Sequence, residues 1–390
     1  MKINIAKLRN LYPNLPAFKK KAAKARVSRI QSYLLPADVT ARCEADPAQI
    51  QGAVDEYAAK YPKVVRQSEK TIDAYLDQGI LSAGGDRTAL RNDVLFCQMA
   101  YGFTPEEYVY LRLAEKAPET RRAFLSNLDR RVLSYRMNDI KDMVIFLDKT
   151  RTYARLAAYY GRDAIPIETQ KDYATFLSFV EKHPVFVKKK VSASFGRSVE
   201  LIDLAASDQD PKALFDQWIG QGKHILEEKL EQTDFFRSLN PSSVNTVRCF
   251  TFLTNHGVLI RNCFLRIGRQ GSFVDNAGGG GISVSLDDET GRALTDGYDE
   301  YGRVFETHPE SGVRFRDLQV PDWQEMRETC IRMAQEVPSV RYVGWDMART
   351  ERCWAVVEGN CMGQQMVQML QDRPVKAEML EYMEDMDLVF

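Results

Sequence analysis

Histidine is scarce in this chain, with four among 390 residues. His183, His224, His256 and His308 are scattered along it, which argues against a histidine-rich zinc centre. Net charge is nearly absent as well. Fifty-three Lys and Arg face 54 Asp and Glu, leaving -1, so a nucleic-acid binder relying on overall basicity is excluded. The seven cysteines (Cys43, Cys97, Cys249, Cys263, Cys330, Cys353 and Cys361) include no CxxC pair, and their number is odd. In a chain this long, that reads as reduced thiols in a cytoplasmic protein. No apolar run reaches the roughly 18 residues a membrane-spanning helix needs. The N-terminal MKINIAKLRNLYPNLP lacks the apolar core of a signal peptide. Repeats and low-complexity segments are also missing.

A hydrophobic content of 44% with 27% charged residues is that of a globular protein able to bury a sizeable core in two or three domains. The basic run from Lys19 to Arg29 and the acidic stretch from Glu378 to Asp387 read first as solvated faces. An anionic partner or membrane surface is the alternative for the basic run. Up to about residue 148 the pattern is helical. Ala48–Lys60, Ser68–Gln78 and Pro105–Lys116 space their apolar residues by three and four, and turn signals such as Tyr61-Pro62 and Gly84-Gly85 separate them. Thr104, Pro105, Glu106 and Glu107 supply a capping hydroxyl, a first-turn proline and early acids.

After Lys149 the character changes. Helices are expected over Thr150–Tyr160, Lys171–Lys182, Lys212–Trp218 and Trp323–Glu336, with Ala164-Ile165-Pro166 as a connection. Between them lie short runs rich in Val, Ile and Phe: Val185–Lys188, Val199–Ile202, His224–Glu228, Val247–Thr254, Val258–Ile267, Ile282–Leu286, Val343–Ala348 and Trp354–Glu358. These predict strands. The fold class is α+β, with largely antiparallel strands.

Several stretches carry chemistry. Val343–Ala348, a polar turn and Cys353–Asn360 read as a hairpin. Alternation puts Glu358 and Asn360 on one side; if the register adds Asp346, three oxygen donors suited to magnesium converge. Both strands are otherwise apolar, and buried carboxylates need a partner. Phe186-Val187-Lys188, followed by the small-residue loop Ser192–Ser198, offers a point charge and approachable backbone amides to phosphate oxygens. It is not a Walker loop, since strand follows rather than helix. An ordinary polar hairpin is the alternative. Arg248 and Arg266 lie within apolar strands, where solvation explains an arginine poorly and a phosphate or carboxylate explains it better. Four consecutive glycines, Gly278–Gly281, permit close backbone approach or a mobile loop.

Taken in order, Asp148-Lys149, Phe-Val-Lys, Leu226–Leu230 (Leu-Glu-Glu-Lys-Leu), Asn245–Arg248 (Asn-Thr-Val-Arg), Asp275–Gly281, Gly344-Trp345-Asp346 and Glu358-Gly359-Asn360 resemble the ATP-grasp superfamily. The segment Thr307–Phe315 leading to Val320–Trp323 is similar to an insert of its sugar-transfer-associated branch, which is related to alpha-L-glutamate ligases. The resemblance spans roughly 145–370. It implies an ATP-grasp fold of two α+β subdomains, here preceded by a mainly helical region. That gives 1–148 helical, 149–235 nucleotide-binding and 236–390 catalytic and metal-binding. It also implies ATP and Mg2+, with Lys149 and Lys188 near the phosphates and the loop containing Ser194 and Gly196 over them. Glu227, Glu228 and Leu230 would line the adenine pocket, and Glu231 would meet the ribose. Arg248 and Arg266 would face the γ-phosphate and the acyl substrate, and Asp346, Glu358 and Asn360 would hold magnesium. Lys189 stands where the family commonly has proline, and the helical region replaces a Rossmann-like domain.

The activity so implied is carboxylate–amine ligation through an acyl phosphate, on small substrates, free or sugar-linked, in natural-product or cell-surface glycan biosynthesis. Phosphorylation of a hydroxyl, with His308 as general base, and a catalytically silent nucleotide-binding module are the alternatives. A homodimer is compatible with the sequence.

Overall fold

The computed structural model describes residues 15–82, 84–191, 199–206, 209–269, 271, 272, 275 and 280–386. Two compact units divide the chain: one runs to Met143 and resumes at Lys376, and the other is Val144–Val375.

The first unit is helical. Its helix Pro62–Asp77 begins earlier than the sequence reading, which starts it at Ser68. Pro62 needs no amide partner in a first turn, so Tyr61-Pro62 opens this helix rather than breaking it. Val65, Ser68 and Ile72 form its buried stripe. The helix over Pro105–Tyr110 is shorter than expected, because Leu111 ends it and Arg112 turns left-handed at φ 50°. A capping box does open it. Glu107 N–H donates to Thr104 Oγ1 at 3.3 Å, and Thr104 N–H donates to Glu107 Oε2 at 2.9 Å, satisfying amides that a helix start leaves open. Val27 and Ile30 pack against Val132 of the helix Asn127–Met137. The same helix meets the C-terminal helix Lys376–Glu384, where Lys376 Nζ lies 2.8 Å from Asp129. The chain therefore returns to the helical unit at Lys376, where the sequence reading runs the catalytic segment on to 390.

The second unit holds two antiparallel sheets. Strands β1 (Ala164–Ile167), β2 (Val185–Lys190), β3 (Val199–Asp203) and β4 (His224–Glu228) form the smaller, in the order β1-β4-β2-β3. Strand β1 is the segment read as a connection. Its Pro166 cannot donate to a ladder, and β1 is an edge strand, where proline is tolerated. Helices Tyr173–Lys182 and Pro211–Gln221 cover one face, burying Phe176, Phe179, Phe186, Phe215, Trp218 and Leu226.

The larger sheet comprises β5 (Thr246–Thr254), β6 (Gly257–Ile267), β7 (Ile282–Ser285), β8 (Gly297–Tyr298), β9 (Val304–Phe305), β10 (Tyr342–Arg349) and β11 (Trp354–Asn360), ordered β11-β10-β5-β6-β7-β8-β9. The helix Trp323–Glu336 covers one face, where Cys330 Sγ lies 3.2 Å from Cys249 Sγ on β5. The opposite face carries the charged groups. All strand pairings between these named strands are antiparallel.

Candidate active site

Register brings the acids of the hairpin together. Asp346 of β10 stands opposite Glu358 of β11, and Gly344 opposite Asn360. Residues paired across antiparallel strands share a face, so the three lie on one side, as the hairpin reading requires. Arg248 of β5 is opposite Asp346 on the next strand, and Thr246 is opposite Arg266 of β6. Gly344 makes room for this row. A Cβ there would come within 2.7 Å of the Phe250 ring and 3.3 Å of Arg248 Cδ.

Asp346 is the centre of an ion cluster. Arg248 donates from Nε to Oδ1 and from Nη2 to Oδ2, the latter at 2.6 Å. Arg266 Nη1 lies 2.9 Å from the same Oδ2, and its Nη2 lies 2.9 Å from Asp275 Oδ1. The Thr246 hydroxyl donates to Asp275 Oδ2. Burial would push the Asp346 carboxyl upward, but the two guanidiniums outweigh it and hold it below the ordinary range. Burial prevails at Asp275 and raises it, although Arg266 pulls the other way. At the rim, Lys149 Nζ lies 3.5 Å from Glu358 Oε1. Lys149 opens the helix Lys149–Leu156, whose first amides are capped by Asp148, with Thr150 N–H donating to Oδ1 at 3.0 Å.

A second cluster belongs to the smaller sheet. Glu227, 3% exposed, accepts from Arg162 Nε at 2.9 Å, Arg162 Nη2 at 2.7 Å and Lys189 Nζ at 2.7 Å. Arg162 also donates from Nη1 to the carbonyls of Tyr160 and Val356, each at 2.8 Å. Since Val356 is in β11, this arginine ties the two sheets together. Burial opposes ionisation of Glu227, yet Arg162 and Lys189 lower its pKa to about 2. Burial lowers that of Lys189.

Lys188 is placed elsewhere than expected. Strand alternation puts it with Phe186 on the helix-covered face, where its Nζ pairs with Glu200 at 3.0 Å and lies 4.8 Å from the Trp218 ring. Lys189, one residue on, faces the Glu227 cluster instead. The side chains of Glu227 and Glu228 are also engaged. Glu228 accepts from Asp163 N–H at 2.9 Å and from Arg352 Nη2 at 2.8 Å. Leu230 is half-buried, and the exposed Glu231 pairs with Lys229 at 2.9 Å. His308 does not join either cluster. It is 1% exposed, and both ring nitrogens have partners, Gly268 O at 3.0 Å and Ser311 Oγ at 3.1 Å. A base must reach its proton, and this ring is spoken for. Ser194 and Gly196 lie outside the described residues.

Lys189 and Asp275 stand in the sequence motifs without a charge-pairing role assigned to them, and Arg162 stands outside those motifs. For Lys189 a signal was present: bulky Phe186 marks the core face, so the lysine two residues on shares it and the next does not. Arg162 and Asp275 have no comparable local signature, because their partners are distant in sequence.

A profile of the family described as sugar-transfer associated ATP-grasp matches residues 129–382, and the chain belongs to that family. No curated protein matches the sequence. Among solved structures, the ATP-grasp ligase PsnB complexed with minimal precursor is 11% identical, with a TM-score of 0.38, over 64% of this chain and 63% of that one. D-alanine--D-alanine ligase from Bacillus anthracis is 11% identical, with a TM-score of 0.39, over 64% of this chain and 70% of that one. VanG D-Ala:D-Ser ligase from Enterococcus faecalis is 11% identical, with a TM-score of 0.42, over 65% and 64%. The chain thus spans less than two thirds of the PsnB and VanG chains. No helix among the described residues is long and apolar enough to cross a membrane.

Proposed function

We propose that this protein is an ATP- and magnesium-dependent ligase that activates a substrate carboxylate as an acyl phosphate and joins it to an amine. The observation that carries this reading is the row of Asp346, Glu358 and Asn360 on one sheet face, beside Arg248, Arg266 and Lys149. The smaller sheet, within 149–235, and the larger sheet, from 236 onward, serve as the two subdomains that hold ATP.

The donor set fits magnesium. A carboxylate offers about four acceptor positions, and the arginines occupy only part of that capacity at Asp346. Glu358 and Asn360 add oxygens at the rim. Magnesium bound there would draw charge from the phosphoryl oxygens. Arg248 and Arg266, already oriented by Asp346, would face the same charge without reorganising, which is where preorganised donors act most strongly. Lys149 and Lys189 would meet the remaining phosphate oxygens, with Lys189 taking the place expected for Lys188. The segment after β4, with Leu230 and Glu231, borders the adenine and ribose. The substrate carboxylate attacks the γ-phosphorus and ADP leaves. The amine then displaces phosphate from the acyl carbon. No side chain needs to form a covalent intermediate. The substrates would be small, free or sugar-linked, and the free thiols suit a cytoplasmic setting.

The test is incubation with ATP, magnesium and panels of carboxylic acids, with and without amines. A ligase releases ADP and phosphate only when acid and amine are both present. A phosphorylated alcohol formed without free phosphate would overturn the ligase reading in favour of a hydroxyl kinase.

A further inference from the structure

His308 belongs to a strap, residues 307–314, that closes on itself. His308 N–H donates to Val313 O at 2.8 Å, Gly312 N–H donates to His308 O at 2.8 Å, and Thr307 bridges Arg314. Gly312 takes φ 70° in the turn, a conformation glycine adopts without strain. Inside the strap, Ser311 N–H donates to His308 Nδ1 at 3.3 Å. An N–H can donate only to a bare ring nitrogen, so in the neutral ring the proton is on Nε2. Burial lowers the His308 pKa, which favours the neutral form. The Nε2–H then donates to Gly268 O at 3.0 Å.

Gly268 follows β6 directly and lies two residues after Arg266. Its N–H donates to Asn245 Oδ1 at 3.1 Å. Asn245 is fully buried and anchored through Nδ2 to Phe236 O at 2.8 Å and Asn240 O at 2.9 Å, and through its N–H to Gln232 Oε1 at 2.7 Å. The following residue, Arg269, donates from Nε to both oxygens of Glu310, at 2.7 and 2.9 Å. Glu310 is in the strap too. Gly268 is therefore gripped at its N–H by Asn245 and at its C=O by His308, and Arg269 is held to the strap beside it.

We propose that His308 is a positioning residue: through Gly268 the strap fixes where the Arg266 guanidinium stands between Asp346 and Asp275. This rests on the phosphoryl-transfer reading above, in which Arg266 faces the transferred group. A base role would need the ring to exchange protons with substrate. A clamp needs only a donor at Nε2, and glutamine carries a comparable donor. The two roles therefore separate in one pair of variants.

With the full chain, His308→Leu should lower kcat about 30-fold at little change in nucleotide affinity, because small misplacements of a charge-stabilising group are costly. His308→Gln should stay within about 3-fold of the parent, since the donor is kept. On an Arg266→Lys background, His308→Leu should cost little more, because residues acting as a unit are not additive. Glutamine as slow as leucine, or full additivity with Arg266→Lys, would overturn the proposal. If the parent turns over no acid and amine with ATP, the ligase reading fails, but the clamp is still decided by the carbonyl-carbon chemical shift of Gly268, which reports the hydrogen bond its oxygen accepts. A shift changed in His308→Leu and kept in His308→Gln supports it; a shift unchanged in both overturns it.

Discussion

Around Glu227 one carboxylate serves two cations, Arg162 and Lys189; around Asp346 and Asp275 two carboxylates serve two, Arg248 and Arg266. The Asp346 group is balanced within itself. Its guanidiniums are oriented before any substrate arrives, and the acids hold them in place. Among the described residues the ion pairs of the Glu227 group leave one positive charge in excess, in a place where burial already lowers the lysine pKa. Uncompensated buried charge is costly, so an anion gains most by approaching Lys189. Under the proposed function, one cluster would be a fixed frame for charge that develops, while the other would receive charge that binds.

The sharpest way to break this comparison is to remove the acid that the first group depends on. Glu227→Gln leaves Arg162 and Lys189 buried without their counter-ion, and should cost about 3–5 kcal/mol of stability, read as a fall in the denaturation midpoint. The acid dependence carries a signature as well. Since the folded pKa is about 2, below the ordinary 4.5, this contribution is complete above the ordinary value and is lost as pH falls towards the folded one. The parent should therefore lose stability through that window more steeply than the variant does. Equal stability of the two at neutral pH would mean that the cluster is not a structural anchor.

Glu358 tests the other side. It is the least enclosed acid of the row, with its side chain 39% exposed beside Lys149. Glu358→Gln keeps the shape and removes the charge. ADP formation should fall by about 100-fold or more, while the denaturation midpoint changes little. Normal turnover with unchanged magnesium dependence would show that the metal is held elsewhere.

Much of this was legible before folding. The strand His224–Glu228 and the helix Trp323–Glu336 occur as read, because length, β-branched content and flanking turns agree there. The shared side of Glu358 and Asn360 was legible too, since alternation is a local property; the register that brings Asp346 to that side was not. What stayed hidden depends on partners far along the chain. Arg162 acquires meaning only against Glu227 and the Val356 carbonyl, and Asp275 only against Arg266 and Thr246. The two lysines of β2 differ again: parity along the strand is readable, since Phe186 defines the face that Lys188 shares and Lys189 does not.

That pair of lysines gives the smaller effects and the finest test. Lys189→Met should weaken ATP binding about 10- to 30-fold, because the buried charge proposed to face the phosphates is lost. Lys188→Met should weaken it by less than about 3-fold, since the methionine stem still packs on Trp218 and only a half-exposed partner, Glu200, loses its ion pair. Calorimetry with a non-hydrolysable ATP analogue and magnesium measures both. The excess charge of the Glu227 cluster predicts this order, because only Lys189 shares its counter-ion with another buried cation. If Lys188→Met proved the more damaging, the phosphates would have to reach the helix-covered face of β2. The aromatic core formed by Phe186, Phe215 and Trp218 closes that route.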